Sequence, residues 1–303
     1  MSERPLVSVI IPCYNQARFL GEAIESILKQ TYSHFEIVVV DDGSTDDTSE
    51  VAGAYALVRT IRQSNLGLSG ARNAGLRASN GDFLVFLDSD DRLLPGALET
   101  GADALTDYAD CAFAYGHVRL ISSSGSLLGV PPSPRIENNH YQELLRHNHI
   151  WSPGAVMYRR EVLDFVGAFD TSLRACEDLD LNLRIARSRP VVCHNRIVLE
   201  YRKHGSNMSG DPRLMLRTSV SVLRAQRAYV RGNPLYEEAL KGGIEEMQSY
   251  YGGRLLKRVR ADLRAGDWAR AAAGLSTLVR YYPKGLARHT RLKLRGAFSR
   301  AEI

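Results

Sequence analysis

Asp88, Asp90 and Asp91 stand within four positions, directly after the apolar run FLVFL (83–87). Carboxylates this close repel one another, and a chain leaving a buried strand has no structural need of them. A hard divalent cation such as Mg2+ or Mn2+ relieves that repulsion. Magnesium takes one or two protein carboxylates and completes its octahedron with water and phosphate oxygens. The cluster therefore predicts a cation that carries a diphosphate, with Asp88 and Asp90 in contact with it. Asp91 is explained as well by capping a helix expected over 93–98. A second acidic pair, Glu177-Asp178, opens a helical pattern, where negative charge also suits the helix dipole.

A diphosphate held through a metal needs no glycine-rich cradle, and none is visible. G-x-x-x-x-G-K-[ST] is absent, and GLSGARNAG (67–75) does not fit G-x-G-x-x-G. Contacts to a nucleoside would then come from side chains on loops. Tyr14 can stack on a base, Asp42 can accept from its N–H, and Arg72 can reach ribose or phosphate. Each also has a structural explanation. Pro-x-Tyr-Asn and Asp-Gly-Ser are turn sequences, and Arg72 suits the surface of a helix.

The elements that must position these residues alternate over the first hundred positions. VSVIIP (7–12), FEIVVV (35–40), LVRTI (57–61) and DFLVFL (82–87) read as strands, the first a β-branched run of the kind buried on both faces of a parallel sheet. Helical patterns over 17–30, from Ser44 through Ala52, and over 68–79 lie between them. This is a βαβ series, and its ligands belong beyond the carboxyl ends of the strands. The Tyr14, Asp42 and Asp88 clusters each follow such an end. Further strands are expected over 111–121, 126–132, 154–160 and 190–204, with a helix beginning near Glu177. On that helix Asp180 should pair with Arg184 at i+4. From Pro212 onward the patterns are helical, with candidate breaks at Gly232, Gly242–Gly243 and Gly266.

At 303 residues, 44% hydrophobic and 24% charged, the chain reads as one large folded domain with an appendage or two modest domains. Its apolar runs fall far short of the ~20 residues that cross a bilayer. The start, MSERPLVSVIIP, lacks the basic flank and cleavage site of a signal peptide, so a cytoplasmic location is expected. Cys13, Cys111, Cys176 and Cys193 form no C-x-x-C pair, which favours four reduced thiols over a disulfide or zinc framework. The net charge of +5 is unevenly spread: residues 1–210 carry 20 Lys/Arg against 26 Asp/Glu, and residues 211–303 carry 19 against 8. A catalytic domain over 1–210 and a basic helical extension over 211–303 are expected.

The ordered stretches VSVIIPCYNQARFLGEAIESILKQTYSHFEIVVVDDGSTDDT, NLGLSGARNAG, GDFLVFLDSDD, GAVMYRREVLDFVGAFD, CEDLDLNLRIA and YRKHGSNMS cover about residues 6–209. Together they resemble family 2 inverting glycosyltransferases, nucleotide-sugar enzymes of the A-type glycosyltransferase fold. The resemblance implies a Rossmann-like, mostly parallel central sheet flanked by helices, here with a helical C-terminal extension. It implies a UDP-sugar donor, with Pro12, Tyr14, Asp42, Arg72 and Ser89 on the nucleotide. It assigns Asp88 and Asp90 to the D-x-D pair that holds Mg2+ or Mn2+, and His204 to a histidine beside the metal or diphosphate. Asp178 corresponds to the catalytic base, and Glu177 before it to a residue on the acceptor or sugar side. Inversion fits that assignment, because the base must face the sugar from the side opposite the leaving diphosphate.

Neither the Q-x-x-R-W motif nor the membrane helices of processive synthases in this family are found. Transfer of one sugar per encounter is therefore expected, to a saccharide, lipid-linked or protein acceptor in surface polysaccharide, lipid-linked glycan or glycoprotein assembly. The acceptor side is expected from 135–147 and 148–154, with Trp151 as a sugar platform or a buried core residue, and Gly154 beside it. The run KGLARHTRLKLRGAFSR (284–300) sets four large apolar residues among six Lys/Arg, and either docks on anionic membrane or packs, solvated, on the body. No nucleic-acid motif is present. A nucleotidyltransferase would share the aspartates and the metal but should open on a glycine-rich loop, where this chain has PCYNQ. A non-catalytic scaffold would be expected to have lost acidic positions that remain here.

Overall fold

The structure, a computed structural model, describes residues 4–288 apart from 133 and 135. The chain divides into two compact units, one comprising Met1–Leu144 with Asn148–Gly205, the other Leu145–His147 with Ser206–Ile303. The basic run at 284–300 lies outside the described residues from 289 onward, as does Arg135.

The first unit is a nine-stranded sheet with helices. Its strands are β1 (Val7–Cys13), β2 (Phe35–Asp41), β3 (Val58–Arg62), β4 (Phe83–Phe86), β5 (Arg92–Leu93), β6 (Phe113–Ser122), β7 (Leu127–Gly129), β8 (Val156–Arg159) and β9 (Val192–Lys203). Interleaved with them are α1 (Ala17–Leu28), α2 (Thr48–Gly53), α3 (Gly67–Ala78), α4 (Ala97–Asp107), α5 (His140–Arg146), α6 (Arg160–Val166) and α7 (Glu177–Ala186). The spatial order is β3-β2-β1-β4-β8-β6-β9-β5, with β7 on β6. Every residue of β1 is buried, as expected of a β-branched strand covered on both faces.

Register explains why three polar clusters meet. β1 pairs in parallel with β2, Cys13 opposite Asp41, and with β4, Ile10 opposite Phe86. The ladder runs on past both ends: Asp42 N–H donates to the Cys13 carbonyl, and Leu87 N–H to that of Ile10. Tyr14, Asp42 and Asp88 therefore leave the sheet along one edge. α3 lies close against this part of the sheet because Gly75 has no side chain. A Cβ there would sit 2.3 Å from Ile10 Cγ2 and 3.2 Å from Val40 Cγ2.

Beyond β4 the sheet is mixed. β8 runs antiparallel to β4 and to β6, β9 is parallel to β6, and β5 is antiparallel to β9. The mostly parallel sheet expected from sequence is present over β1 to β4 and again between β6 and β9, with antiparallel pairs at β8, β7 and β5, since an apolar run specifies burial and not direction. A second difference follows from β5. The helix expected over 93–98 begins at Ala97, after Gly96 in the left-handed region (φ 77°). Asp91 consequently caps nothing and faces the sheet interior.

The second unit consists of α8 (Pro212–Ala225), α9 (Arg227–Val230), α10 (Pro234–Arg264) and α11 (Trp268–Tyr281), closed around Leu216, Val220, Leu255, Val259 and Leu278. Asp211, Asn233 and Asp267 cap three of these helices through their side chains, the first two followed by proline at the first helical position. Gly232 and Gly266 do end segments, both with positive φ. Gly242–Gly243 do not break α10. A Cβ on Gly243 would lie against the Leu145 carbonyl, so this glycine serves close backbone approach. Among the described residues no helix is long and apolar enough to cross a membrane.

Replacing Gly75 by alanine drives a methyl into Ile10 and should cost about 1–3 kcal/mol. Gly53→Ala, with nothing within 4 Å of the new Cβ, should leave stability within about 0.5 kcal/mol. Urea denaturation midpoints of the two variants test the comparison.

Candidate active site

Three strand ends deliver the nucleotide-side candidates. Pro12 is buried in β1, and Tyr14 follows at 48% exposure, its ring free for stacking. Asn15 after it has φ 53°, held by Ser44 Oγ on its N–H and by the Thr45 N–H on its own side-chain oxygen. Asp42 is buried and fastens the loop into α3. Its Oδ1 accepts from Gln63 Nε2 (2.7 Å) and Leu66 N (2.9 Å), and its Oδ2 from Gly67 N (2.8 Å). Oδ2 keeps one acceptor position for a base N–H. Ser89 is buried beside the Cys13 thiol.

Arg72 differs most from expectation. Placed by sequence on the ribose side or on a helix surface, it is 1% exposed. One terminal nitrogen donates to Asp88 Oδ1 at 2.6 Å and the other to Glu177 Oε1 at 2.5 Å. Burial opposes its charge, but Asp88, Glu177 and Asp178 more than offset that and push its pKa up. Its ring neighbour Phe169 lies 5.1 Å away, and its Nε is buried without a hydrogen-bond partner. The arginine thus ties the end of β4 to the first turn of α7.

The pair Glu177-Asp178 enters α7 through Cys176, a non-glycine residue in the left-handed region at φ 60°. Asp178 Oδ1 accepts from Leu179 N, and its carboxyl pKa is pushed up to about 7 by burial first and by Glu177 second, against the lowering effect of Arg72. The side chain remains partly exposed. A carboxylate in this range is matched to proton abstraction near neutral pH. The pairing expected of Asp180 is present, with Arg184 Nε at 2.8 Å.

On the other side of Asp88, His204 Nε2 lies 2.7 Å from Asp90 Oδ2, and the imidazole sits 5.1 Å from the Phe19 ring. Burial, then Asp88, raises the Asp90 pKa; His204 opposes this. Asp91 is 2% exposed; its Oδ1 accepts from Arg202 N (2.9 Å) and its Oδ2 from Ser152 Oγ (3.4 Å). Burial and the two neighbouring aspartates raise its pKa well above the ordinary range. Arg202 was not singled out from sequence. It is fully buried, and its guanidinium donates to the Asp90 carbonyl, the Ser123 carbonyl and Glu22. Its one available signal was an arginine on the strand leading to His204. Trp151 is 39% exposed, with Lys203 Nζ 5.4 Å from its ring, which removes the core alternative for it. Gly154 is buried, and a Cβ there would meet Leu199 at 3.1 Å and Leu87 at 3.3 Å.

Among the described residues no set of three or more His, Cys, Asp or Glu is arranged to enclose a metal ion. The donors at Asp88, Asp90 and His204 suit an ion held by few protein groups, with the remaining positions left to water and phosphate. The raised pKa of Asp90 reflects burial first and the Asp88 charge second, and such an ion would offset both.

The family model for glycosyl transferase family 2 matches residues 8–167. This is more than half of the chain. The chain belongs to glycosyl transferase family 2.

The family match spans β1 to α6, and α7 and His204 lie beyond it. Relatives include the uncharacterized glycosyltransferase EpsJ of Bacillus subtilis, 36% identical over 60% of this chain and 56% of its own length. Chondroitin synthase of Escherichia coli is 30% identical over 68% of this chain and 30% of its length. The chain therefore covers only part of these relatives. Among solved structures, S. aureus TarS in complex with UDP superposes with a TM-score of 0.61 at 23% identity, over 81% of this chain and 72% of that one. The mannosyltransferase PcManGT from Pyrobaculum calidifontis, in complex with GDP-Man and Mn2+, gives 0.59 at 19%, over 92% and 88%. These likenesses establish the shared A-type fold of the family.

Removing the bridge should be costly. Arg72→Met leaves Glu177 and Asp88 facing each other unpaired, with an expected loss of about 3 kcal/mol in chemical denaturation. Asp178→Asn should act in the opposite direction. Because the folded protein holds that proton up to about pH 7 while the unfolded chain releases it near 4, the charge costs stability progressively across this window. The variant should match the parent near pH 4 and melt at higher temperature at pH 8. Equal melting temperatures at pH 8 would contradict the raised pKa.

Proposed function

We propose that this chain transfers a single sugar from a UDP-sugar to a hydroxyl acceptor, with inversion at the anomeric carbon and Asp178 as the general base. The observation that carries the reading is the Arg72 bridge. One guanidinium contacts both Asp88, at the strand end suited to a metal-diphosphate, and Glu177, the neighbour of Asp178. Leaving-group and base sides of an inverting site are thereby fastened to one another. Further support comes from the fold neighbour TarS, solved with UDP and with UDP-GlcNAc, and from PcManGT, solved with GDP-Man and Mn2+. The relationship to chondroitin synthase favours assembly of a polysaccharide.

Tyr14 stacks on the uracil and Asp42 Oδ2 accepts from its N–H, while Pro12 and Ser89 shape the pocket wall. Mg2+ or Mn2+ would be held by Asp88 and Asp90 with His204 beside them, and when bound supplies positive charge to the diphosphate. Asp178 takes the acceptor's hydroxyl proton as the new oxygen–carbon bond forms and the bond to the diphosphate breaks, the electron pair leaving with UDP. Arg72 is a positioning residue: through Glu177 it fixes the start of α7 and hence the reach of Asp178. Trp151, exposed at the rim, offers an apolar face to the acceptor sugar.

UDP release from a panel of UDP-sugars with Mn2+ or Mg2+ tests the central reading. Turnover should stop in EDTA and return with added metal. Asp178→Asn should lower kcat by about 10²- to 10⁴-fold while donor binding changes little. If no nucleotide sugar binds in the presence of metal the proposal fails, and normal turnover by the variant removes Asp178 from its role. In the parent, kcat/KM should rise with pH and level off above about 7; bound cation would shift this limb downward, and a profile falling across that range would contradict a base.

A further inference from the structure

The second unit carries an open cavity of about 590 Å3, formed between α8, α9, α10 and the residues after α11. Five cations line it: Arg224, Arg227, Arg231, Lys241 and Lys284. Two acids, Glu237 and Glu245, face the same space, and Glu237 is already engaged with the Gly232 N–H. Among the described residues none of the five cations takes part in an ion pair. Arg224 is the innermost. Its guanidinium lies 5.6 Å from the Tyr281 ring, and its Nε is buried with no hydrogen-bond acceptor.

Cations near helix C-termini are commonly placed there by the helix dipole, which accounts for Arg224 in the last turn of α8 and for Arg231 after α9. It does not account for Lys241, the eighth of the 31 residues of α10 and far from its C-terminus, nor for Lys284. Nor does it satisfy the Arg224 Nε–H, a buried donor that costs stability until an acceptor reaches it. Residues 289–303 carry Arg291, Lys293, Arg295 and Arg300 against Glu302 alone, so their charge has the wrong sign to neutralise the cavity.

We propose that this cavity binds the phosphate or diphosphate end of an organic ligand. Guanidinium groups supply forked donors to phosphate oxygens, and lysine ammonium groups add point charges. The volume exceeds what a bare phosphate needs and lies in the range of small-molecule pockets. Val230, Leu240 and Ile244 on the same wall give the attached carbon chain or ring an apolar surface. The shared chemistry is a phosphoester, carried either by a soluble metabolite or by a lipid headgroup. Every lining residue belongs to the second unit, so the site stands or falls separately from the donor-site reading.

The test uses the full chain in EDTA, which keeps diphosphates out of the carboxylate-lined site. Calorimetric titration with octyl phosphate should give saturable binding, tighter than inorganic phosphate. Arg224→Gln and the exposed Lys241→Gln should each weaken it by about tenfold or more. The lysine variant guards against loss of fold, and Arg224→Lys should recover part of the affinity. Vesicles of phosphatidylglycerol in phosphatidylcholine separate the sources. Vesicle binding that octyl phosphate displaces assigns the site to a headgroup, and octyl phosphate binding without vesicle binding assigns it to a soluble phosphoester. No saturable binding of octyl phosphate, or equal affinity in the parent and both glutamine variants, overturns the proposal.

Discussion

A guanidinium removed from water is the constraint around which the first unit is organised. Arg72 sits on α3 with almost no exposure, and its charge is tolerable only because carboxylates from two distant segments meet it. That requirement fixes where α7 begins relative to the end of β4. It also explains the strained entry through Cys176, since the chain must turn sharply to bring Glu177 inward. Even so, the arginine leaves the region short of positive charge. Asp88, Asp90, Asp91, Glu177 and Asp178 share it with two buried arginines, and three of those carboxyls are pushed upward in pKa. An electrostatic deficit of this kind is what a divalent cation beside Asp88 and Asp90 would offset.

Much of this was legible before any coordinate was known. β1, β2 and β4 are long enough and β-branched enough to be read as buried parallel strands, and their ends name Tyr14, Asp42 and Asp88 as neighbours. The Asp180–Arg184 pair follows from helical spacing alone. What escaped was anything that depends on direction or on partners far along the chain. Periodicity cannot distinguish an antiparallel β8 from a parallel one. Arg72 reads from sequence as a ribose or phosphate contact or as a surface helix arginine, because its partners lie 16 and 105 positions away. Asp91 looked like a cap because short-range rules saw a helix beyond it, whereas β5 and Gly96 intervene.

The two units also solve different problems with the same residue type. In the first, Arg202 and the two terminal nitrogens of Arg72 are enclosed and meet acceptors, so these arginines act as struts. In the second, arginines face a cavity with fewer acids than cations, so they remain available. The contrast lies in environment and not in sequence, for nothing local to Arg224 in LRAQRAYV distinguishes it from a solvated helix residue.

The Asp91 contact with Arg202 joins residues 111 apart, and the Asp90 contact with His204 joins residues 114 apart. Closing loops of that length carries an entropic cost that only a nearly complete sheet repays. During synthesis the strands β1 to β4, with the loops at Tyr14, Asp42 and Asp88, emerge long before β9. α7 and His204 arrive later, and until β9 is seated against β5 and β6 the Arg202 and His204 partners of Asp91 and Asp90 are missing. The Asp90 and Asp91 contacts are therefore the last this end of the sheet acquires as it is made, and the first it loses when β9 detaches.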